Sequence, residues 1–208
     1  MMDDYRLYCF GESGNAYKVA NMLELSGAKW TPIWVDFFNG ETRSPEFRST
    51  VNAMGEVPVL LHNNNKLSQS GVILDYLSEK TGKFGPRNDD ERREILRWML
   101  FDNHKFTSYI ATLRYMITLA KTGETPVTEF LRQRVLNSLK IVDGHLATHD
   151  FLLGKRLTIA DLSLCGYVFY GEELPFALAD FLNVQAWMQR IKGLPGWKNP
   201  YDLMPRGK

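Results

Sequence analysis

The residues best placed to do chemistry lie in two neighbouring segments, Val57-Pro58-Val59-Leu60-Leu61 and Gln69-Ser70-Gly71-Val72-Ile73. A Val-Pro pair opening an apolar run removes one ladder donor, so the proline belongs at the start of a strand, and a cis peptide there would turn the backbone of Val57 toward a ligand. Gln69-Ser70 opens an apolar helical run. Unpaired amides at such a terminus, with the helix dipole behind them, favour a carboxylate or phosphate, and a serine adds a hydroxyl donor. Each segment alone has a plain structural explanation, a strand-opening proline and an N-cap pair. Their combination points to a site for an anionic ligand.

Other constellations carry less. Cys9 and Cys165 are the only cysteines and have neither Cys-x-x-Cys nor zinc-ligand spacing. No disulfide framework is expected, and a reducing cytoplasm is the default. His145 and His149 stand four apart, but no glutamate follows His145 as metalloprotease helices require, so no metal is assigned. Gly11-Glu12-Ser13-Gly14 is too short for a phosphate loop and lacks its lysine, so no nucleotide is implied. The 25 basic and 24 acidic residues are interspersed, giving net charge +1, so no electrostatic footprint points to nucleic acid or an anionic membrane, and neither is expected as a partner. The acidic start Met1-Met2-Asp3-Asp4 leads directly into a strand pattern, with no signal core and no apolar stretch long enough to span a bilayer. With 208 residues, 44% of them hydrophobic and 12% aromatic, the chain can bury one or two cores.

The elements that would position these groups follow from periodicity. Tyr5 to Phe10 reads as a strand ending at Gly11. Ala16, Val19, Ala20 and Leu23 mark one face of a helix running from Asn15 and stopped by Gly27. Trp30 to Val35 reads as a second strand, Glu46 to Thr50 as a short helix, Val57 to Leu61 and Lys66 to Leu67 as a hairpin, and Val72, Ile73, Tyr76 and Leu77 as a helical face ending at Gly82. The order β-α-β-α-β-β-α is the thioredoxin-like layout. Beyond it strand signals vanish, and long amphipathic patterns fill Asp89 to Lys121, ended by Gly123 and Pro126, and Val127 to Thr148. The expected fold class is α/β plus all-α: a thioredoxin-like domain over 1–82, a linker over 83–88 and a helical bundle domain over 89–208.

One later signature is sharp. In Leu157-Thr158-Ile159-Ala160-Asp161-Leu162, Thr158 is the N-cap, Asp161 at N3 returns the bond, and Leu157 and Leu162 form a hydrophobic staple. This capping box accounts for Asp161 fully enough that a structural role outranks that of a catalytic acid.

Taken in order, Leu7-Tyr8, Val57-Pro58, Gln69-Ser70, Thr158 to Asp161 and Leu194-Pro195-Gly196-Trp197 make nearly the whole chain resemble the cytosolic-type glutathione S-transferases. Its look is bacterial. The run Ser13-Gly14-Asn15-Ala16-Tyr17-Lys18-Val19 is similar to the serine/asparagine type, with zeta/theta-like and Nu-like members among them. The resemblance implies glutathione as co-substrate, a small apolar electrophile as its partner, no metal, and a homodimer. Val57 would pair its backbone with the cysteinyl part of glutathione, Pro58 would be cis, and Gln69 and Ser70 would receive the γ-glutamyl end. Ser13, or Asn15 in competition with it, would stabilise the thiolate, while Ser13 as a plain N-cap remains the alternative. Phe10, Tyr109 and Arg114 would line the second-substrate pocket. Cys9 is expected to be inert packing.

Two positions depart from the family pattern. Ala53 follows Asn52 where many members have proline, and Glu56 stands where a basic or neutral polar residue often helps with a glutathione carboxylate; a like charge there costs glutathione binding unless Glu56 points to solvent, and the sequence leaves that open. Arg43, Arg48 and Lys66 remain open as cations for the glycyl carboxylate. Two other functions fit the same fold: a glutathione-dependent disulfide reductase or peroxidase, and a non-catalytic scaffold or protein-binding module.

Overall fold

The computed structural model describes residues 4–207. Among them the chain forms two compact units, one running through Gly85 and joined by the segment from Leu194 onward, the other Pro86–Gly193.

The first unit is thioredoxin-like. Its elements are β1 (Tyr5–Cys9), α1 (Gly14–Ser26), β2 (Trp30–Trp34), α2 (Pro45–Thr50), β3 (Val59–His62), β4 (Asn65–Ser68) and α3 (Ser70–Thr81). The four-stranded sheet has the order β2-β1-β3-β4, with β1 parallel to β2 and antiparallel to β3, and β3 antiparallel to β4. Pro32 is tolerated because β2 is an edge strand. The core takes Leu7 and Leu60 from the sheet, Ala16, Val19, Ala20 and Leu23 from α1, and Ile73, Leu74 and Leu77 from α3, all fully buried. The strand read as Val57 to Leu61 begins only at Val59, which leaves Val57 and Pro58 outside the ladder.

The sequence reading assigns everything beyond 89 to the helical domain, but the segment from Leu194 packs with the first unit. The reason lies in α1. Tyr17 Oη donates to the Lys198 carbonyl at 2.9 Å, and Lys198 Nζ lies 3.1 Å from Glu24. Gly196, at φ 91°, lets the chain turn so close that a Cβ would stand 3.1 Å from the Glu24 carbonyl. A short helix, α9 (Pro200–Leu203), completes this segment.

The second unit is all-helical. Here α4 (Asp89–Phe101) passes through a π-helical turn, Asp102–Phe106, into α5 (Thr107–Arg114) and a second π-turn, Tyr115–Leu119. The expected single long helix is therefore continuous but twice widened. Asp102, fully buried at the first π-turn, accepts from Thr107 Oγ1 and Ser163 Oγ, each at 2.6 Å, so the extra residue seats a carboxylate between helices. Pro126, read as ending the preceding helix, is instead the first residue of α6 (Pro126–Leu146), capped by Thr125. The remaining elements are α7 (Ile159–Leu164), a 3-10 segment at Val168–Glu173 and α8 (Leu182–Lys192).

Candidate active site

Strand register brings the segments carrying the candidate residues to one end of the sheet. Tyr8 pairs with Val59, and Val59 pairs with Ser68, so the exit of β1, the entry of β3 and the exit of β4 lie side by side. From that end depart the turn carrying Ser13 and Asn15, the Val57-Pro58 segment, and Gln69-Ser70 at the start of α3.

Ser13 caps α1: its Oγ accepts from the Ala16 amide at 3.2 Å, and the residue is 7% exposed. The oxygen is occupied, while the hydroxyl proton has no acceptor among the described residues. A serine polarised in this way is a good donor to an anion. Asn15, on the first turn of α1, has its Oδ1 buried with no partner among the described residues.

The Val57-Pro58 peptide is cis. Asn52 fixes the turn before it, donating through Nδ2 to the Glu56 carbonyl at 2.9 Å and accepting from Met54 N at 3.1 Å, so the absent proline at 53 does not loosen it. Neither the N–H nor the C=O of Val57 has a partner among the described residues, which leaves both for an extended ligand.

At α3, Gln69 holds φ 69° and ψ 115° and makes no side-chain cap. Such a conformation costs about 1–3 kcal/mol and persists where the surroundings impose it. The amides of Ser70, Gly71 and Val72 lack partners among the described residues, and Ser70 is buried. This is an open anion-accepting helix end. The Gln69 carboxamide, meanwhile, donates to Glu56 Oε2 at 2.8 Å and joins the two segments.

The family models match over both units. The description "Glutathione S-transferase, N-terminal domain" covers residues 3–79, and "Glutathione S-transferase, C-terminal domain" covers 105–195. A solved structure of a possible glutathione S-transferase from Rhodopseudomonas palustris is 34% identical, with 94% of this chain and 97% of that one covered at a TM-score of 0.87. The chain belongs to the cytosolic-type glutathione S-transferase family. A glutathione S-transferase from Pseudomonas fluorescens is 30% identical over 95% of this chain and 99% of its own, with a TM-score of 0.88. Glutathione S-transferase F14 of Arabidopsis thaliana is 29% identical over 92% of this chain and 80% of its own. The protein is accordingly a glutathione S-transferase enzyme.

Other residues singled out from the sequence have varied settings. In the first unit, Phe10 is buried and stacks on Phe37 with centroids 4.7 Å apart. In the second, Tyr109 is half-buried on α5. Arg114 differs from a pocket cation: it is 1% exposed, forms an ion pair with Glu173, and holds its guanidinium 3.8 Å from the centroid of the Tyr170 ring. Its charge is answered within the fold. Asp161 returns its bond to Thr158 N at 2.9 Å and also accepts from Leu152 N and Trp187 Nε1. Burial shifts the Asp161 carboxyl upward from its ordinary value, against the pull of these donors. Burial likewise pushes the Cys9 thiol up to about 12, only partly opposed by its backbone contact with Ile33. Sequence reasoning missed the Gln69–Glu56 contact, because no local pattern pairs residues that far apart.

Proposed function

We propose that the protein ionises the thiol of glutathione and directs the thiolate at a soft apolar electrophile. The observation that carries this reading is a set of polar groups at one end of the sheet that have no partner among the described residues: the main-chain N–H and C=O of Val57, the first amides of α3 and the Ser13 hydroxyl proton. They match glutathione part by part. The cysteinyl backbone pairs with Val57 as an added strand would. The γ-glutamyl carboxylate is held by the α3 amides, the Ser70 hydroxyl and Gln69. Ser13 donates to the sulfur, and the α1 terminus behind it favours the anion, so the thiol ionises nearer neutrality. Asn15 is the competing donor through its carboxamide nitrogen.

In this reading the new bond forms between the glutathione sulfur and the electrophilic atom, whose leaving group or π bond takes the displaced electron pair. Ionisation and proximity supply the acceleration, with no covalent enzyme intermediate. A homodimer in the cytoplasm completes the proposal. It is supported by Leu96 and Leu100, one turn apart on α4 and 54% and 60% exposed, and by the sparse cysteines.

The test is a titration of the purified protein with glutathione across pH, following the ultraviolet absorbance of bound thiolate. Thiolate forming near neutral pH supports the transferase reading; no binding at millimolar glutathione would sink it and leave the scaffold.

A further inference from the structure

We propose that Arg206, near the end of the chain, is a positioning residue for Ser13, an inference that rests on the thiolate-stabilising role just assigned to that serine. The Ser13 amide donates to the Phe10 carbonyl at 3.0 Å, closing a four-residue turn, Phe10-Gly11-Glu12-Ser13. Both central residues of this turn are gripped by the C-terminal segment. The Gly11 amide donates to the Pro205 carbonyl at 2.7 Å. Arg206 Nε donates to Glu12 Oε1 at 3.1 Å, and the Glu12 side chain is 11% exposed.

The grip is close enough to dictate a residue type. A Cβ on Gly11 would stand 2.8 Å from Arg206 Cγ and 3.0 Å from Tyr201 Cδ1, so the turn must carry glycine there for the tail to pass. Arg206 is itself fixed from behind, its guanidinium 4.0 Å from the centroid of the Tyr201 ring, and Tyr201 belongs to α9, which packs against α1. The turn is thus clamped between the sheet and the tail, and its last residue is Ser13.

An ion pair whose arginine is 54% exposed adds little to the stability of the whole fold. Its effect is local: with the Arg206 contact removed, the grip on the turn slackens, the Phe10–Ser13 bond loosens, and the hydroxyl loses its fixed direction toward the sulfur. Small misplacements of a reacting or polarising group cost rate out of proportion to the energy of the bond that prevented them.

The experiment compares wild type, Arg206→Met, Arg206→Lys and Glu12→Gln, each also in a Ser13→Ala background. Three readouts are taken: amide hydrogen exchange at Ser13 and Ala16, the pH profile of bound-glutathione thiolate absorbance, and kcat against KM for glutathione. The expected result for Arg206→Met is faster exchange at both amides, a thiolate profile displaced to higher pH, and kcat lowered by at least about threefold with KM little changed. Melting temperature should stay at the wild-type value. Arg206→Lys should restore most of the loss, and no substitution should lower kcat further once Ser13 is alanine. Unchanged exchange in Arg206→Met overturns the proposal, as does an equal fall in kcat in the Ser13→Ala background. If the wild type forms no glutathione thiolate at all, the transferase reading fails instead, and the exchange data still decide whether the tail holds the turn.

Discussion

The Gln69 carboxamide donates to the Glu56 carboxylate across 2.8 Å, joining the segment before the cis Val57-Pro58 peptide to the open N-terminus of α3. A negative charge therefore sits beside the groups proposed to receive the γ-glutamyl carboxylate. Glutathione carries one more carboxylate than ammonium, so Glu56 works against its binding. Both Glu56 and Gln69 are solvent-exposed, where a charge pair at this range is worth about 1 kcal/mol or less. Glu56→Gln should accordingly tighten glutathione binding by a factor of about three, with the gain shrinking as salt rises. Calorimetric titration at low and high ionic strength checks this. Weaker binding by the variant would mean that Glu56 serves the ligand's ammonium group instead.

Ser13 and Asn15 make separable demands. Removing one preorganised donor to a developing or stabilised anion typically costs about 10²-fold or more in an enclosed site, and less where water can substitute. Ser13→Ala should lower kcat by about tenfold or more while KM for glutathione holds, since the α3 and Val57 contacts are untouched. The Ala16 amide would also lose its cap, at about 1 kcal/mol of stability. Asn15→Ala should have the smaller effect on turnover. If Ser13→Ala turns over normally and Asn15→Ala does not, the donor is Asn15.

How much of this was readable beforehand depended on sequence distance. Gly27 and Gly82 end α1 and α3 in the left-handed region at φ 71° and 66°, and Thr158 and Asp161 pair across three residues, so their signals lie within one helical turn. The cis-prolyl strand entry at Val57-Pro58 and the helix start at Gln69-Ser70 are legible for the same reason, since both are local events. What could not be read joins distant parts of the chain. Nothing near Gly11 announces Pro205, nothing near Tyr17 announces Lys198, and nothing near Arg114 announces Glu173, so the tail was assigned to the helical domain and Arg114 to the pocket. The π-turns after Phe101 and Arg114 escaped because an inserted residue leaves the amphipathic pattern almost intact.

Cys9 offers a test with a definite sign. Burial pushes its thiol from the ordinary value of 9.0 up to about 12, so the fold favours the neutral thiol. The protonated side chain contributes its stability in full below pH 9, and that contribution is lost as pH rises toward 12, at about 1.4 kcal/mol per pH unit. Denaturation curves between pH 8 and 11 should therefore fall more steeply for the wild type than for Cys9→Ala. Native protein at pH 8 should resist alkylation at Cys9, since the residue is fully buried and un-ionised. Rapid labelling, or turnover lost in Cys9→Ala, would return Cys9 to consideration as a reactive group.

Asp161 and Trp187 separate stability from catalysis. The Asp161 carboxylate is fully buried and accepts from Leu152 N at 2.8 Å, Thr158 N at 2.9 Å, Thr158 Oγ1 at 3.0 Å and Trp187 Nε1 at 3.0 Å. Asp161→Ala strands two backbone donors and the indole N–H in a dry core. At about 1–3 kcal/mol for each unsatisfied group, with partial relaxation, the loss should reach about 3–5 kcal/mol. That threatens folding, so the milder Trp187→Phe carries the test. It keeps much of the ring and removes only the indole donor, which should cost about 1–2 kcal/mol, including the space the smaller ring leaves. Its melting temperature should drop while kcat and KM per folded molecule stay at wild-type values. The alternative, a catalytic acid at Asp161, requires that removing a donor from this carboxylate change the pH dependence of turnover. An unshifted pH profile in Trp187→Phe, together with its lowered melting temperature, assigns the capping box to the fold rather than to the reaction.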